Sequence, residues 1–448
     1  MLPLFAIVAS ASLTVPPIPT IGQSAVLDAN SPTVSPTFGM VVGIAGDRVA
    51  ATGPDPTRTG GSVGQIATFQ LQLTGDWTPF REMQSVDQAK VGSMVLQRMV
   101  MAGNIMLVSE ERRDGGSSAV VAFESAESNS GWKQQGRLDP PTSSIEPAFG
   151  GVLATDGVFA AVSTVDMRVL GEQTRTVQES PKVYLFKRGP DGWKGIGFLN
   201  RDASLKPTFF GASIAMTSGQ VVIGCPKAIT AAPHKELVVG GDSVVVVYRM
   251  NAQGIWAIDG ELRPPPDRLD YLGFGSTIAA DESTVVVRMP QVTGGQGVIV
   301  LVYRRGASGW VYDGQLNPLL DITTGVGWGI SLAMADGRII VGDPTALTGD
   351  QAPGYVGVFG KNSSGTWGEA LRFKPTVAVT TARWGVGIRA DGRRVVVARP
   401  QSEREGIVPG GALVFTLPPA DPNAIPTVAP TGVPASSQQL IAPAKGAP

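Results

Sequence analysis

Seven times along the chain a bulky apolar residue followed by glycine opens the same series of short segments, and no other feature narrows the fold so far. The openings are Phe38-Gly39, Val91-Gly92, Phe149-Gly150, Phe210-Gly211, Phe274-Gly275, Trp328-Gly329 and Trp384-Gly385, spaced 53 to 64 residues apart. Each leads into a short alternating run such as "SIAM" (213–216), then a tight turn such as "TDG" (155–157), "TSG" (217–219) or "ADG" (335–337 and 390–392). Asp tolerates left-handed backbone and Gly supplies positive φ, so these turns join antiparallel strands. A β-branched run follows, "QVVIG" (220–224) or "RIIVG" (338–342), then a connection of variable length and a third run such as "SVVVVY" (243–248). The unit closes with a Gly-containing turn, a tryptophan (Trp77, Trp132, Trp193, Trp256, Trp310 or Trp367) and a fourth run.

Four short antiparallel strands cannot bury both faces of their sheet alone, but sheets stacked around an axis can. The sequence therefore predicts an all-β, seven-bladed β-propeller of four-stranded blades over residues 21–417, with 57 Gly and 35 Pro serving its many turns. Because the aromatic-Gly and Trp positions recur in unit after unit, they read as packing between blades, not as an aromatic cage at one site. The seventh unit ends at "GGALVFTLPP" (410–419) with no Trp and no fourth run. At the other end of the chain, "GQSAVLDANSPTVSPTFG" (22–39) aligns without a gap on "KQQGRLDPPTSSIEPAFG" (133–150), a fourth run with its exit. Residues 22–28 are thus expected to form the outer strand of the last blade and close the ring, leaving no open end to aggregate.

With the units aligned, the chain resembles the FG-GAP repeat family, the blade unit of the head propeller of integrin α subunits. The likeness is carried by the Phe-Gly openings and by the strand ends "IGCP" (223–226) and "VGDP" (341–344), across residues 22–417. It implies a propeller and, at the level of class, adhesion. Family members that bind calcium carry multi-acid cages between the first two strands, since a hard cation needs six to eight oxygens. Here that connection has shrunk to "TDG" or "ADG", one carboxylate apiece, so no calcium is expected there.

The remaining chemistry is sparse. Thirty-six Lys plus Arg against 37 Asp plus Glu gives a net charge of −1, which suggests neither a nucleic-acid scaffold nor an acidic tail. One cysteine, Cys225, excludes an intrachain disulfide and reads as a small buried hydrophobe at a strand end. The one histidine, His234, lies in a connection without a nucleophile beside it, and zinc lacks its ligands. No cofactor motif occurs. Leu2 to Ala9 is a short apolar run followed by the small residues Ala9-Ser10-Ala11, which fits a secretory signal with a linker over residues 1–20, or else an N-terminal arm. No stretch is long and apolar enough for a membrane-spanning helix. Residues 418–448 are rich in Pro and Ala and are expected to be a disordered tail.

In an up-and-down blade, the second-to-third connections share one face of the disc with the fourth-to-first. They are long and dissimilar here, and variable connections on a rigid scaffold are where binding concentrates. Their charged residues are the candidate binding set: Glu110, Glu111, Arg112, Arg113 and Asp114 in "SEERRDGG" (109–116), with Arg168, Lys235, Asp343, Arg399 and Arg404. The expected function is a secreted or cell-surface, non-enzymatic propeller that engages a protein or glycan. The alternatives are a polysaccharide hydrolase or lyase with carboxylates and arginines at the axial mouth, and a structural subunit of a surface assembly. Oligomeric state is not encoded in these features. EDTA is expected to leave the melting temperature unchanged, because only a ligand held by the native state raises it; a fall on chelation that calcium restores would overturn this reading of the short turns.

Overall fold

The computed structural model describes residues 18–28, 39, 41–54, 64–84, 94–112, 119–125, 131–140, 149–165, 181–200, 209–226, 243–266, 273–290, 297–318, 322–324, 326–348, 353–376, 384–400 and 410–420. They form seven sheets, six of four antiparallel strands and one of six, each built on the four-stranded meander read from the repeats. Blade four is representative. Ser213–Thr217, Gln220–Cys225, Val244–Met250 and Trp256–Leu262 pair in sequence order, with Ser213 opposite Gly224 and Met250 opposite Trp256. The seven first strands are Val41–Ala45, Met94–Ala102, Leu153–Thr155, Ser213–Thr217, Ile278–Ala280, Ser331–Ala335 and Ile388–Asp391. Each touches the next, and the last touches the first, so they ring one axis.

The core is a set of seven seams, each made by two neighbouring sheets. Phe274, Ile278 and Leu301 of blade five pack on Val222, Val245 and Leu262 of blade four, and the other six seams repeat the pattern. The opening aromatics Phe149, Phe210, Phe274, Trp328 and Trp384 are all at most 2% exposed. The tryptophans that begin the fourth strands pack, partly buried, on these seams, as their recurrence predicts. Cys225 is a buried seam residue at the end of its strand.

Among the described residues, the glycine of each opening is required by geometry. Gly275 has φ +88° and Gly385 φ +86°, a region that L side chains rarely adopt. A Cβ on Gly385 would also stand 2.6 Å from the carbonyl oxygen of Tyr355 in the preceding blade. The glycine of "IGCP" is constrained from the other side: a Cβ on Gly224 would overlap the Gly275 carbonyl, and Gly342 meets Gly385 in the same way. Two glycines thus let consecutive blades approach backbone to backbone. Ser213 Oγ donates to the Gly275 carbonyl at 2.7 Å, and Ser331 Oγ to that of Gly385.

Among the described residues, two seams carry a latch in which one aspartate meets a tryptophan and a cation at the rim. Asp259, on the fourth strand of blade four, accepts hydrogen bonds from Trp310 Nε1 (3.0 Å) and Arg305 Nη2 (2.8 Å) of blade five. Asp313 repeats this one blade on, with Trp367 Nε1 at 3.0 Å and Lys361 Nζ at 2.9 Å. Hydrogen bonds from Arg305 hold the Asp259 carboxyl below the usual carboxylate range. Burial would raise Asp313, but hydrogen bonds from Lys361 and Trp367 outweigh it and lower it too. The same position is Phe80, Gln135 and Ile196 in blades one to three, and the indole N–H groups of Trp132, Trp193 and Trp256 are buried without an acceptor among the described residues.

Closure follows the sequence register. Ala25–Asp28 is the fourth strand of blade seven, antiparallel to Gly411–Thr416, with Ala25 opposite Val414 and Asp28 opposite Gly411. Arg399, 3% exposed, donates to Asp28 and ties the closing strand to the second strand of its blade. A feature the repeats did not announce precedes it: Thr20–Ile21 adds a parallel strand beyond Trp367–Phe373 of blade six, so the N-terminal segment bridges two blades. Residues 1–17 and 421–448, which contain most of the expected signal segment and tail, lie outside the described residues.

Removal of residues 18–28 is expected to lower the melting temperature and produce aggregates; an unchanged temperature with monomeric elution would contradict the closure. Asp313→Ala is expected to cost about 2 kcal/mol in urea unfolding, the scale of hydrogen bonds to a charged group, against at most about 0.5 kcal/mol for Asp191→Ala at the solvated Lys194 pair. The latch contribution is present above the ordinary carboxylate pKa of about 4 and fades as pH falls through the lowered folded values. Equal costs for the two variants at neutral pH would dismiss the latch.

Candidate functional site

The ends of the second strands and the starts of the first strands share one face. Arg288, near the end of Thr284–Pro290, shows this directly. Its Nε donates to the Trp328 carbonyl at 2.9 Å and its Nη2 to the Val326 carbonyl at 2.6 Å, both in the segment that opens blade six. Its Nη1 reaches Ser276 Oγ at 3.3 Å. Burial lowers the Arg288 pKa to about 10, and the negative charge of Asp343 offsets part of that. Asp343 is fully buried, and its Oδ1 accepts the backbone N–H (2.9 Å) and hydroxyl (2.7 Å) of Thr345. A half-buried arginine and a buried aspartate from neighbouring blades therefore form the floor at the strand ends from which these connections leave.

The expected binding residues divide into three groups. Asp343 and Arg399 are turned inward, one into this floor and the other onto Asp28, so their polar atoms serve the scaffold. Glu110, Glu111 and Arg112 are not on a loop: they end the strand Ile105–Arg112, opposite Leu96, Val95 and Met94 of Met94–Ala102. Strand pairing thus continues through the acidic-basic run, which sequence alone read as a connection. Arg113, Asp114, Arg168, Lys235 and Arg404, with His234, lie outside the described residues. The stretch 343–353 also departs from the expected loop. Arg338–Thr348 is one long strand, returning through Pro353–Lys361 and flanked by Ile322–Thr323, so blade six extends as a paired arm. Ladder pairing satisfies backbone groups that an irregular loop would have to leave to water.

The opposite face is built from tight hairpins. Asp336 takes φ +51° and Gly337 φ +70° in one of them, the geometry anticipated from Asp-Gly. Asp156 Oδ1 accepts the N–H groups of Val158 and Phe159 in another. Among the described residues no group of three His, Cys, Asp or Glu could hold a metal, and no helix is long and apolar enough to cross a membrane.

The first strands enclose an axial cavity of about 580 Å³, lined by all seven blades. Its wall mixes small apolar and polar side chains, Ala215, Ala279 and Ala333 with Ser213, Ser276 and Ser331, beside Met99, Met101, Met216 and Met334. Small side chains belong where seven sheets converge. Among the described lining residues two are charged, Arg98 of blade two and Arg389 of blade seven. Arg98 Nε donates to the Gly151 carbonyl of blade three at 3.1 Å, and Arg389 Nη1 to its own Ile388 carbonyl at 2.8 Å. The Arg389 side chain is open to the cavity yet ringed by protein, and burial, then the charge of Arg98, lowers its pKa.

Sequence reasoning missed Arg98, Arg288 and Arg389. Two signals were present: "IRADG" (388–392) stands where a sister unit reads "LAMADG" (332–337), and Arg288 interrupts "STVVVRMP" (283–290) where others read "VVIGCP" (221–226). What was absent was any sign that positions from separate units converge.

No family model matches the chain, and no curated protein matches it. Among solved structures, the β-propeller domain of the Trilobed protease from Pyrococcus furiosus is similar over 91% of this chain and 100% of that one, at 10% identity and a TM-score of 0.45. Acylaminoacyl peptidase from Pyrococcus horikoshii is similar over 85% of this chain and 51% of its own, at 9% identity and a TM-score of 0.46. A structure from a study of two prolyl endopeptidases is similar over 87% of this chain and 47% of its own, at 13% identity and a TM-score of 0.47. The chain thus spans about half the length of these two peptidase chains. At such identities no activity carries across, and the FG-GAP resemblance rests on its repeated motifs alone.

Proposed function

We propose that this chain is a binding propeller that engages a protein or glycan with the face carrying its long connections, and that it acts outside the cytoplasm. The observation that supports this is the asymmetry of the disc. On the long-connection face, second-strand ends are tied down by polar side chains, half-buried Arg288 to the opening of blade six and buried Arg399 to the closing strand. Beneath variable connections lies a fixed floor, which lowers the ordering cost of presenting them to a partner. The hairpin face is made of turns too short to wrap anything.

A second reading has one specific support. A polysaccharide hydrolase or lyase with axial arginines would find them in Arg98 and Arg389. It would also need carboxylates at the mouth, and the described lining residues contribute none.

The experiment begins with a glycan array and a pull-down from surface proteins. Against the partner identified, the double variant Arg112→Ser with Arg113→Ser is expected to bind about thirtyfold more weakly, as when a desolvated charged contact worth about 2 kcal/mol is truncated. Its folding should be preserved to within about 0.5 kcal/mol, as for most solvated surface positions. Lys194→Ser, at the hairpin face, should bind as the parent does. Loss of binding in Lys194→Ser with retention in the double variant would assign the wrong face. Release of reducing ends from a bound polysaccharide would replace the binding reading with the enzymatic one.

A further inference from the structure

We infer that the rim groove between blades three and four is a docking site for a second copy of this chain, which enters it with the turn of blade one that carries Leu73 and Asp76. The site lies at the rim and hairpin side of the disc and does not rest on the reading of the long-connection face.

The groove exists because one seam is left unfilled at the rim. In the two latched seams, the tryptophan of the later blade lies over a fourth-strand glycine of the earlier one. A Cβ on Gly260 would stand 2.7 Å from Trp310 Cδ1, and one on Gly314 would stand 3.1 Å from Trp367 Cδ1. The equivalent glycine of blade three is Gly197, opposite Leu185 as Gly260 is opposite Val247. A Cβ on Gly197 would meet no atom within 4 Å. Trp256 of blade four meets Phe159 instead, edge to face at 5.6 Å.

The lining of that open seam is apolar. The latch aspartate is replaced by Ile196, and the latch cation by Met250, which stands opposite Trp256. Ile258 lies two residues beyond Trp256 on Trp256–Leu262 and so shares its face. Ile196 and Ile258 are both exposed. Blade two differs, with Lys133, Gln134, Gln135 and Arg137 at the exposed positions of its fourth strand. Single exposed aliphatic residues are ordinary, but several lining one seam mark a surface that is covered in use.

The complementary feature is on blade one. Its third-to-fourth turn is fixed by hydrogen bonds from the Gln72 N–H to the Asp76 carbonyl (2.8 Å) and from the Gly75 N–H to the Gln72 carbonyl (2.9 Å). Blades four and six build the same turn on Asn251 and Asn362, and place Ala252 and Ser363 where blade one places Leu73. Leu73 is fully exposed. A large apolar side chain is thus held out on a turn that is already ordered, so little entropy is lost when it is buried.

Charge favours this occupant. Lys187 and Lys194 stand directly opposite each other on neighbouring strands of blade three, and like charges so placed repel. Lys194 is paired with Asp191 at 3.3 Å. Lys187 has no ion pair among the described residues, and its Nζ lies 5.6 Å from the Phe159 ring that Trp256 touches. Asp76, exposed beside Leu73 on the same turn, has no ion pair among them either. One turn therefore brings an apolar side chain to Ile196 and Ile258 and a carboxylate to Lys187. Each copy carries one turn and one groove on different blades. Reciprocal insertion closes a two-fold pair, and unreciprocated insertion continues into a chain; either raises the mass with concentration.

The test is sedimentation of the full chain across the micromolar range. The average mass is expected to rise with concentration. Leu73→Ser and Ile258→Ser are each expected to weaken association about tenfold or more, the effect of removing one apolar side chain from a contact. Both positions are exposed, so the melting temperature should not move. Lys187→Glu should also weaken association, and adding Asp76→Lys in the same chain should restore it. An equimolar mixture of the Leu73→Ser and Ile258→Ser chains should associate where neither does alone, because the intact turn of one fits the intact groove of the other. A parent that is monomeric at every concentration, association that survives either single variant, or a mixture no heavier than its components would overturn the inference. A monomeric parent that sediments with phosphatidylserine vesicles would assign the groove to a lipid surface and overturn it as well. None of these readouts involves the long connections, so failure here is separable from failure of the proposed binding face.

Discussion

Everything in this molecule depends on how closely two neighbouring blades can approach at the aromatic-Gly opening. There the backbone of one sheet meets the second strand of the sheet before it, with Gly224 against the Gly275 carbonyl and Gly342 against that of Gly385. A methyl group at any of these glycines would hold the sheets apart and open the hydrophobic seam beside it. The seam contains the largest buried side chains in the protein, Trp328, Phe149, Phe210 and Phe274 among them. Burial of each contributes about 1.5 to 3 kcal/mol, which is available only if the glycines permit contact. A small residue and a large one adjacent in sequence are therefore one device: the first sets the distance and the second fills it.

Polar groups are placed around that device according to how much water they retain. At the rim, Asp259 and Asp313 sit where the tryptophan and cation of the next blade satisfy them. Beneath the long connections, half-buried Arg288 and buried Arg399 are tied down, so strand ends that would fray are held. At the axis, Arg98 and Arg389 line a cavity together with alanines, methionines, serines and threonines. The same residue type thus clamps a seam at one radius and, at another, leaves charge looking into a cavity. Its surroundings decide which.

Much of the fold could be read directly. The openings, the Asp-Gly turns, the β-branched runs and the tryptophans are local patterns repeated in register, and the complementarity between residues 22–28 and the truncated last unit located the closure. The candidate site was far less legible. Glu110, Glu111 and Arg112 look like a loop because they are charged and precede Asp-Gly-Gly, yet strand pairing with Met94–Leu96 carries through them. Asp343 and Arg399 look solvent-facing for the same reason, and both are buried because a partner charge or hydroxyl waits inside. Charge predicts exposure only when no such partner is near, and the partner belongs to another part of the chain.

The sequence by itself determined the number of blades, the order of their strands, the seam residues and the strand that closes the ring. Each of these is encoded within one unit or in the likeness of one unit to another, and short-range periodicity records it. Tertiary structure alone decided which charges are tied where: Arg288 to the opening of blade six, Arg399 to Asp28 across most of the chain, Arg98 to the Gly151 carbonyl of the next blade. Ring closure brings residues hundreds of positions apart to within a few ångströms, and the pattern of any single unit contains no record of its opposite number. The seams are a property of the repeat, whereas the channel is a property of the circle.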